Sequence, residues 1–319
     1  MFPRFPLQGP RTGPAVRFPA TRTGGPQVIF GLLQTGQSLG MGYPGGTIIG
    51  TSQPGHYMLT GGLVELHQTT PWAVVNTGGL STLAEQLVTL DGYAAGETGL
   101  GAAVSILASS TGLRFIAASV ATQSLGIASR DKSAGNNIYT NTLAVVTAMK
   151  ARAEAAGLVF GGVLAIFEVG GETDFNNAAY YADLLQYQQD LSDDIIAITG
   201  QSSPSPIPMF LSQIVGQAAF LNNDSSHSQV VAARTYPTRF ALAGAKFPFT
   251  SADGQHLSPA GYRQMGALYA HAVEKWRAAA TSQVPMPDLG TISRVGAVYT
   301  IDFVTPTPPL VLDTSLVTQ

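Results

Sequence analysis

From residue 113 to residue 279 the chain alternates short apolar runs with longer segments of helical spacing, and this alternation constrains the fold more than any other feature. Residues 113–120 (LRFIAASV), the VLAIFEV run within 159–169, and 207–215 (IPMFLSQIV) read as strands, with 240–243 as a short one. Between them, 141–156 (NTLAVVTAMKARAEAA), stopped by Gly157, and 178–192 carry helical periodicity. Residues 258–279 read as a long helix, with Ser258 as N-cap and Pro259 at the first helical position. Strands alternating with helices argue for a parallel sheet covered on both faces.

The earlier part of the chain is less regular. Residues 27–33 (QVIFGLL) read as a buried strand that feeds the glycine-bearing turn TGQSLGMG. Residues 42–80, rich in Gly, Thr and Pro, read as an irregular excursion over the surface, and 81–90 (STLAEQLVTL) as a Ser-capped helix. Residues 100–110 read as a further helix. The expected architecture is α/β: a three-layer α/β/α sandwich around a central parallel sheet, formed by residues 27–281. Residues 1–26 are a Pro/Arg-rich arm that can neither pair as a central strand nor continue as a helix. Residues 282–319 turn β-prone and Pro-broken, and are expected to form a short β-rich segment.

Composition excludes several function classes. Charged residues make up only 11% of the chain, against about a quarter in ordinary globular proteins, and the formal net charge is -3. No basic stripe suggests nucleic acid, and no stretch of about 18 apolar residues suggests a membrane span. The absence of cysteine excludes disulfides, thiolate catalysis and Cys-based zinc sites. No histidine pair has the i, i+4 spacing of a helical zinc site, so no metal centre is expected. Residues 1–26 contain no apolar core of a signal peptide.

In an open parallel sheet, ligands sit beyond the carboxyl ends of the strands. Three loops are expected there: one with Gln37 and Ser38, one with Gly170, Gly171, Glu172, Thr173 and Asp174, and one with Asp253 and His256. Serine in a glycine-bearing turn is most often only a turn residue, but a nucleophile at the end of the first core strand has a rigid base and an open approach. In DGQHLSPAGY, Asp253 stands three residues before His256, so its carboxylate can receive the imidazole Nδ1–H. The bland reading is a turn with a surface histidine. Gly170 and Gly171 permit a tight turn with exposed N–H groups of the kind an oxyanion needs. The plain alternative is a βα turn with Thr173 or Asp174 as helix cap. His56 and His67 fall in the irregular excursion and are candidates to line a pocket. His227 reads as solvated in a polar loop, and His271 lies inside the last helix.

TGQSLG, GGETD and DGQHLSPAGY, in that order and on those elements, resemble the SGNH (GDSL-like) hydrolases. More narrowly they resemble the sialate O-acetylesterase-like carbohydrate esterases, over roughly residues 28–280. The resemblance implies an α/β/α domain and ester hydrolysis without a cofactor. It implies Ser38 as nucleophile, Asp253 and His256 as its partners, and the backbone of Ser38 and Gly171 as oxyanion donors. Thr173 stands where the wider family has asparagine, and Gly170 where the branch often has glutamine. Ala121 and Thr122 stand where a glycine pair is usual, so Thr173, Ala121 and Thr122 are the candidates for the third donor. Glu172 and Asp174 match the branch pattern and are expected to hold the loop.

The implied substrate is an acetylated glycan. A second expectation, from another class, is a structural component of a larger assembly such as a virion tail fibre or spike. There the domain binds or deacetylates surface glycan, as a homo-oligomer or docked through the N-terminal arm. Extracellular or virion-associated localisation goes with either. A lipase or thioesterase on the same scaffold ranks below both.

Overall fold

The computed structural model describes residues 27–65, 78–90, 92–214, 224–279, 288–295 and 298–304. The arm expected at 1–26, His67 and the chain beyond 304 lie outside these residues. Strands are β1 (Val28–Gly36), β2 (Gln53–Leu59), β3 (Leu80–Leu83), β4 (Val88–Leu90), β5 (Tyr93–Ala95), β6 (Arg114–Ser119), β7 (Val159–Val169), β8 (Met209–Gln213), β9 (Phe240–Ala245), β10 (Asp288–Val295) and β11 (Val298–Val304). The helices, here α1 to α5, are Leu100–Thr111, Asn137–Ala155, Tyr180–Thr199, Asp224–Thr235 and Pro259–Ala279.

The seven-stranded sheet has the order β3-β2-β6-β1-β7-β8-β9. Every neighbouring pair is parallel except β2 with β3. From β1 the chain first builds one side of the sheet, then crosses to build β7, β8 and β9 on the other. Strand order therefore reverses at β1, and the crevice beyond its carboxyl end is where such sheets bind ligands. The layers follow from the period of two along each strand. Ile29 and Leu33 of β1, with Ile116 and Ala118 of β6, pack against α2, α3 and α4. Phe30 and Leu32, with Phe115 and Ala117, pack against α1 and α5. The fold is the expected three-layer α/β/α sandwich. β10 and β11 form a separate antiparallel hairpin. No helix among the described residues is long and apolar enough to cross a membrane.

Three expectations are corrected. Residues 81–90 are not a helix; they hold most of β3, an irregular stretch and β4. Pairing of β3 with β2 overrides the helical spacing, and Glu85 of the irregular stretch is buried. The 42–80 excursion contributes β2 to the sheet, a strand concealed in the sequence by Pro54 and Gly55, where the β2–β3 register slips. The polar stretch around His227 is α4, with His227 exposed on it. Its buried face is mostly small and polar (Ser225, Ser228, Gln229, Ala232, Ala233), so no apolar periodicity announces it.

Two groups of buried charge stabilise the carboxyl edge of the sheet. On β7, Glu168 accepts from Arg130 Nη2 at 2.8 Å and Nη1 at 3.2 Å, both residues being sealed from solvent. Thr35 Oγ1 of β1 donates to Glu168 Oε2 at 2.5 Å, and Tyr269 of α5 donates to the Glu168 carbonyl at 2.7 Å. Burial alone would lower the Arg130 pKa, but the Glu168 carboxylate beside it overrides that and raises it. Removing one partner of such a pair leaves a buried charge uncompensated. Arg130→Met is therefore expected to destabilise the fold by about 3–5 kcal/mol in urea unfolding, with part of the loss recovered by adding Glu168→Gln. A loss below about 1 kcal/mol, the range of an exposed ion pair, would refute this role.

The second group lies under the start of α1. The Glu85 carboxylate accepts from the N–H groups of Thr98 (2.8 Å) and Gly101 (2.9 Å) and from the Thr98 hydroxyl. Glu97 accepts from Ile49 N–H at 3.0 Å and Gly50 N–H at 2.8 Å. Burial pushes the Glu85 carboxyl from 4.5 up to about 7, with nearby Glu97 adding to the rise, against the pull of the Gly101 and Thr98 donors. The folded protein thus holds this proton more tightly than the unfolded chain. The resulting stability is full below pH 4.5 and is lost as pH rises through about 7; it amounts to on the order of 3 kcal/mol. Glu85→Gln is expected to flatten unfolding free energy against pH across that window, and an unchanged slope would show that another group sets it.

Candidate active site

The turn that carries Ser38 begins where β1 ends. Gly36 has φ +127°, and a Cβ there would lie 2.1 Å from the Val169 carbonyl oxygen, so only glycine lets the ends of β1 and β7 approach this closely. Gln37 N–H then donates to that carbonyl at 3.1 Å. Ser38 opens a short 3-10 turn, Ser38–Met41, and its side chain is nearly enclosed.

The three residues expected to act together are in contact. Ser38 Oγ lies 3.0 Å from His256 Nε2, and His256 Nδ1 lies 2.7 Å from Asp253 Oδ2. The loop that carries the last two is tied at both ends. The His256 carbonyl accepts from Ala252 N–H and from Ser251 Oγ, and Ser258 N–H donates to the Thr250 carbonyl. Ser258 caps α5 as expected, accepting from Gly261 N–H at 3.1 Å. Asp253 Oδ1 accepts the N–H groups of His256 (2.6 Å) and Gln255 (2.9 Å). Burial alone would raise the Asp253 carboxyl; these N–H donors and the imidazole hold it below the usual carboxylate value. The carboxylate thus stays ionised at neutral pH and holds the Nδ1 proton, leaving Nε2 as an acceptor facing Ser38.

The loop after β7 faces the same edge. Gly171 has φ +114°, and a Cβ on it would lie 2.9 Å from Ile214 Cγ2 and 3.1 Å from Gln229 Nε2. Its carbonyl accepts from Ser225 Oγ at 2.8 Å, while the Gly170 carbonyl accepts from Gln229 Nε2 at 3.0 Å. Both carbonyls are thus held from α4. Among the described residues, neither Ser38 N–H nor Gly171 N–H donates to another group. Gly170 stands where the resembling branch often has glutamine, and the reason is local: a Cβ there would lie 2.4 Å from Glu168 Oε1. The buried ion pair occupies the space that a side chain would need.

The three candidates for a further donor differ. Thr122 N–H is committed to the Gly36 carbonyl at 3.0 Å. Thr173 N–H donates to Gln37 Oε1 at 3.2 Å, and its side chain is exposed. Ala121 N–H has only a long 3.4 Å contact with Ser119 Oγ, and Ala121 lies against Gly40 of the Ser38 turn. As expected, the acidic residues of GGETD hold the loop. Asp174 accepts from Ile127 N–H at 2.9 Å, and Glu172 pairs with Lys246.

Sequence reasoning missed two residues of the site. Tyr43 places its ring edge-on to His256, with centroids 4.7 Å apart, and is clamped by its N–H on the Ser38 carbonyl and its carbonyl on Tyr262 Oη. Lys246 is fully buried. A tyrosine in a Gly/Pro stretch and a lysine after a short strand carry no signal without their partners. His56 sits in β2, where its Nδ1 accepts from Phe115 N–H at 3.2 Å. Burial, with Arg114 beside it, lowers its pKa. His271 pairs with Glu274 on exposed α5 surface. No group of three or more acidic or histidine side chains that could hold a metal occurs among the described residues.

Gly171→Ala is expected to lower stability by roughly 1–3 kcal/mol in thermal unfolding, from left-handed backbone strain and the Ile214 contact together. An unchanged melting temperature would mean that the loop is not held in this geometry.

No protein-family model matches the chain, and no curated protein matches it in sequence. Solved structures do match. A protein from Arabidopsis thaliana is 13% identical, with a TM-score of 0.57 over 78% of this chain and 98% of that one. NanS is 12% identical, with a TM-score of 0.53 over 80% and 99%. A carbohydrate acetylesterase from Xanthomonas citri is 14% identical, with a TM-score of 0.56 over 86% of this chain and 62% of that one. At such identities the likeness is one of fold alone: the chain shares the α/β architecture of these proteins, with a mostly parallel seven-stranded sheet between helices.

Proposed function

We propose that the protein is a serine esterase that removes acetyl groups from acetylated carbohydrate through an acyl-enzyme. The observation that carries this reading is the continuous chain Ser38 Oγ–His256–Asp253, with contacts of 3.0 Å and 2.7 Å, at the point where strand order reverses. A hydroxyl facing an imidazole whose other nitrogen is held by a carboxylate is the arrangement of an activated serine nucleophile.

His256 Nε2 takes the Ser38 proton as Oγ attacks the ester carbonyl. The oxyanion that forms is met by the N–H groups of Ser38 and Gly171, which are free to donate; one such donor contributes about 3 kcal/mol of transition-state stabilisation. The sugar oxygen leaves with the proton from His256, and the acetyl group stays on Ser38. Water then gives a proton to His256 and attacks the acetyl-serine, and acetate departs as the proton returns to Ser38. Every bond change is supplied by serine, imidazole and water, so the reaction needs no cofactor. Acetyl as the acyl group is favoured by the three motifs and by the acetylesterase among the fold relatives. Tyr43, beside His256, offers an aromatic surface to the sugar.

Ser38→Ala is expected to lower acetate release from 4-nitrophenyl acetate and from acetylated oligosaccharides by at least about 10³-fold, with the fold retained by circular dichroism. Activity within a few-fold of wild type would remove Ser38 from the role. Glycan binding by a wild-type protein that releases no acetate would instead identify a binding module.

A further inference from the structure

A buried ion pair other than Arg130–Glu168 also lies outside the triad. Lys246 Nζ lies 2.7 Å from Glu172 Oε1, and both side chains are fully sealed from solvent. The contact lies off the line of a hydrogen bond, and Lys246 Nζ has no other acceptor among the described residues. A lysine is rarely buried completely, because desolvating an ammonium is costly unless a counter-charge compensates it. This pair therefore has a specific position to hold.

That position joins the two loops on which the proposed chemistry depends. Glu172 directly follows Gly171, whose free N–H is the proposed oxyanion donor. Lys246 directly follows β9 and starts the segment that leads to Asp253 and His256. Its own backbone is fixed, with its N–H on the Gln213 carbonyl at 3.1 Å and its carbonyl accepting Phe249 N–H at 3.0 Å. The side-chain contact thus ties the end of β9 to the oxyanion loop after β7, across the intervening strand β8.

We infer that Lys246, through Glu172, is a positioning residue that fixes the Gly171 N–H for the oxyanion and sets its distance from the Ser38–His256 pair. This rests on the esterase reading above. Other supports act on the carbonyls of the loop: Ser225 holds the Gly171 carbonyl and Gln229 the Gly170 carbonyl. The pair acts on the side after Gly171, where the N–H of Thr173 reaches Gln37 and that of Asp174 the Gly171 carbonyl. A misplacement of about 1 Å in such a site costs on the order of 100-fold in rate.

The test uses the full chain with Glu172→Gln, Lys246→Met and the double variant, which leaves no buried charge uncompensated and so protects against misfolding. Two readouts are combined. Amide hydrogen exchange across residues 170–177 is expected to rise at least 10-fold in the folded variants, with exchange in β1 and β7 unchanged. For hydrolysis of 4-nitrophenyl acetate, kcat is expected to fall roughly 10- to 100-fold with KM within about 2-fold. Affinity for a boronic acid that mimics the tetrahedral state should fall in parallel, and the pH profile should be unchanged. A merely structural pair would lower the melting temperature and leave kcat and boronate affinity of the folded protein alone; that result overturns the inference. So does unaltered exchange in 170–177, or loss expressed only in KM. A wild type without activity would refute the esterase reading, and with it the catalytic role of the pair; exchange would then report only whether the pair holds the loop.

Discussion

The carboxylate of Glu168 stands at the centre of this structure. It is buried on the central strand pair and is compensated by a two-nitrogen contact with Arg130 and by the Thr35 hydroxyl. Its carbonyl is held by Tyr269 of α5, so one residue links β1, β7, α5 and the segment around residue 130. The next carbonyl along, that of Val169, receives the N–H of Gln37 and so anchors the turn that carries Ser38. The ion pair also dictates glycine at position 170, which begins the loop after β7. An apolar residue at 168 would leave Arg130 buried and alone, and the edge on which the candidate site stands would lose its reference point.

The site is assembled from loops that follow three strands, and each loop is cross-braced to another. Gln37 reaches from the first to Thr173 in the second, Lys246 reaches from the start of the third to Glu172 in the second, and His256 reaches from the third back to Ser38. Loops braced in this way lose little further freedom when substrate arrives. Such preorganisation is what oxyanion stabilisation requires, because donors already in place need no rearrangement as charge develops. The Glu85–Glu97 pair supports the same edge from below, through the backbone of residues 49–50 and 98–101.

Much of this could be read before any coordinates. Strands β1, β6, β7 and β8 and helices α1, α2, α3 and α5 lie where apolar periodicity puts them, within a few residues at most ends. Elements whose buried faces are polar, or whose strands contain Pro and Gly, escaped: α4 packs Ser225, Ser228 and Gln229 inward, and β2 begins Gln-Pro-Gly. Residues 81–90 escaped for the opposite reason. Their local spacing favours a helix, but an edge pairing and a buried carboxylate outweigh a propensity of a few tenths of a kcal/mol per residue.

The sequence by itself determined the fold class and the identity of Ser38, Asp253 and His256 as partners, because strand-end loops in a parallel sheet converge on one edge and three short motifs mark those loops. Only the tertiary structure decided how the edge is held. Arg130 with Glu168, Lys246 with Glu172, and Tyr43 against His256 pair residues that lie 38, 74 and 213 positions apart. A buried charge or a half-buried ring acquires its meaning from the group beside it, and contacts of that kind leave no periodic trace along the chain.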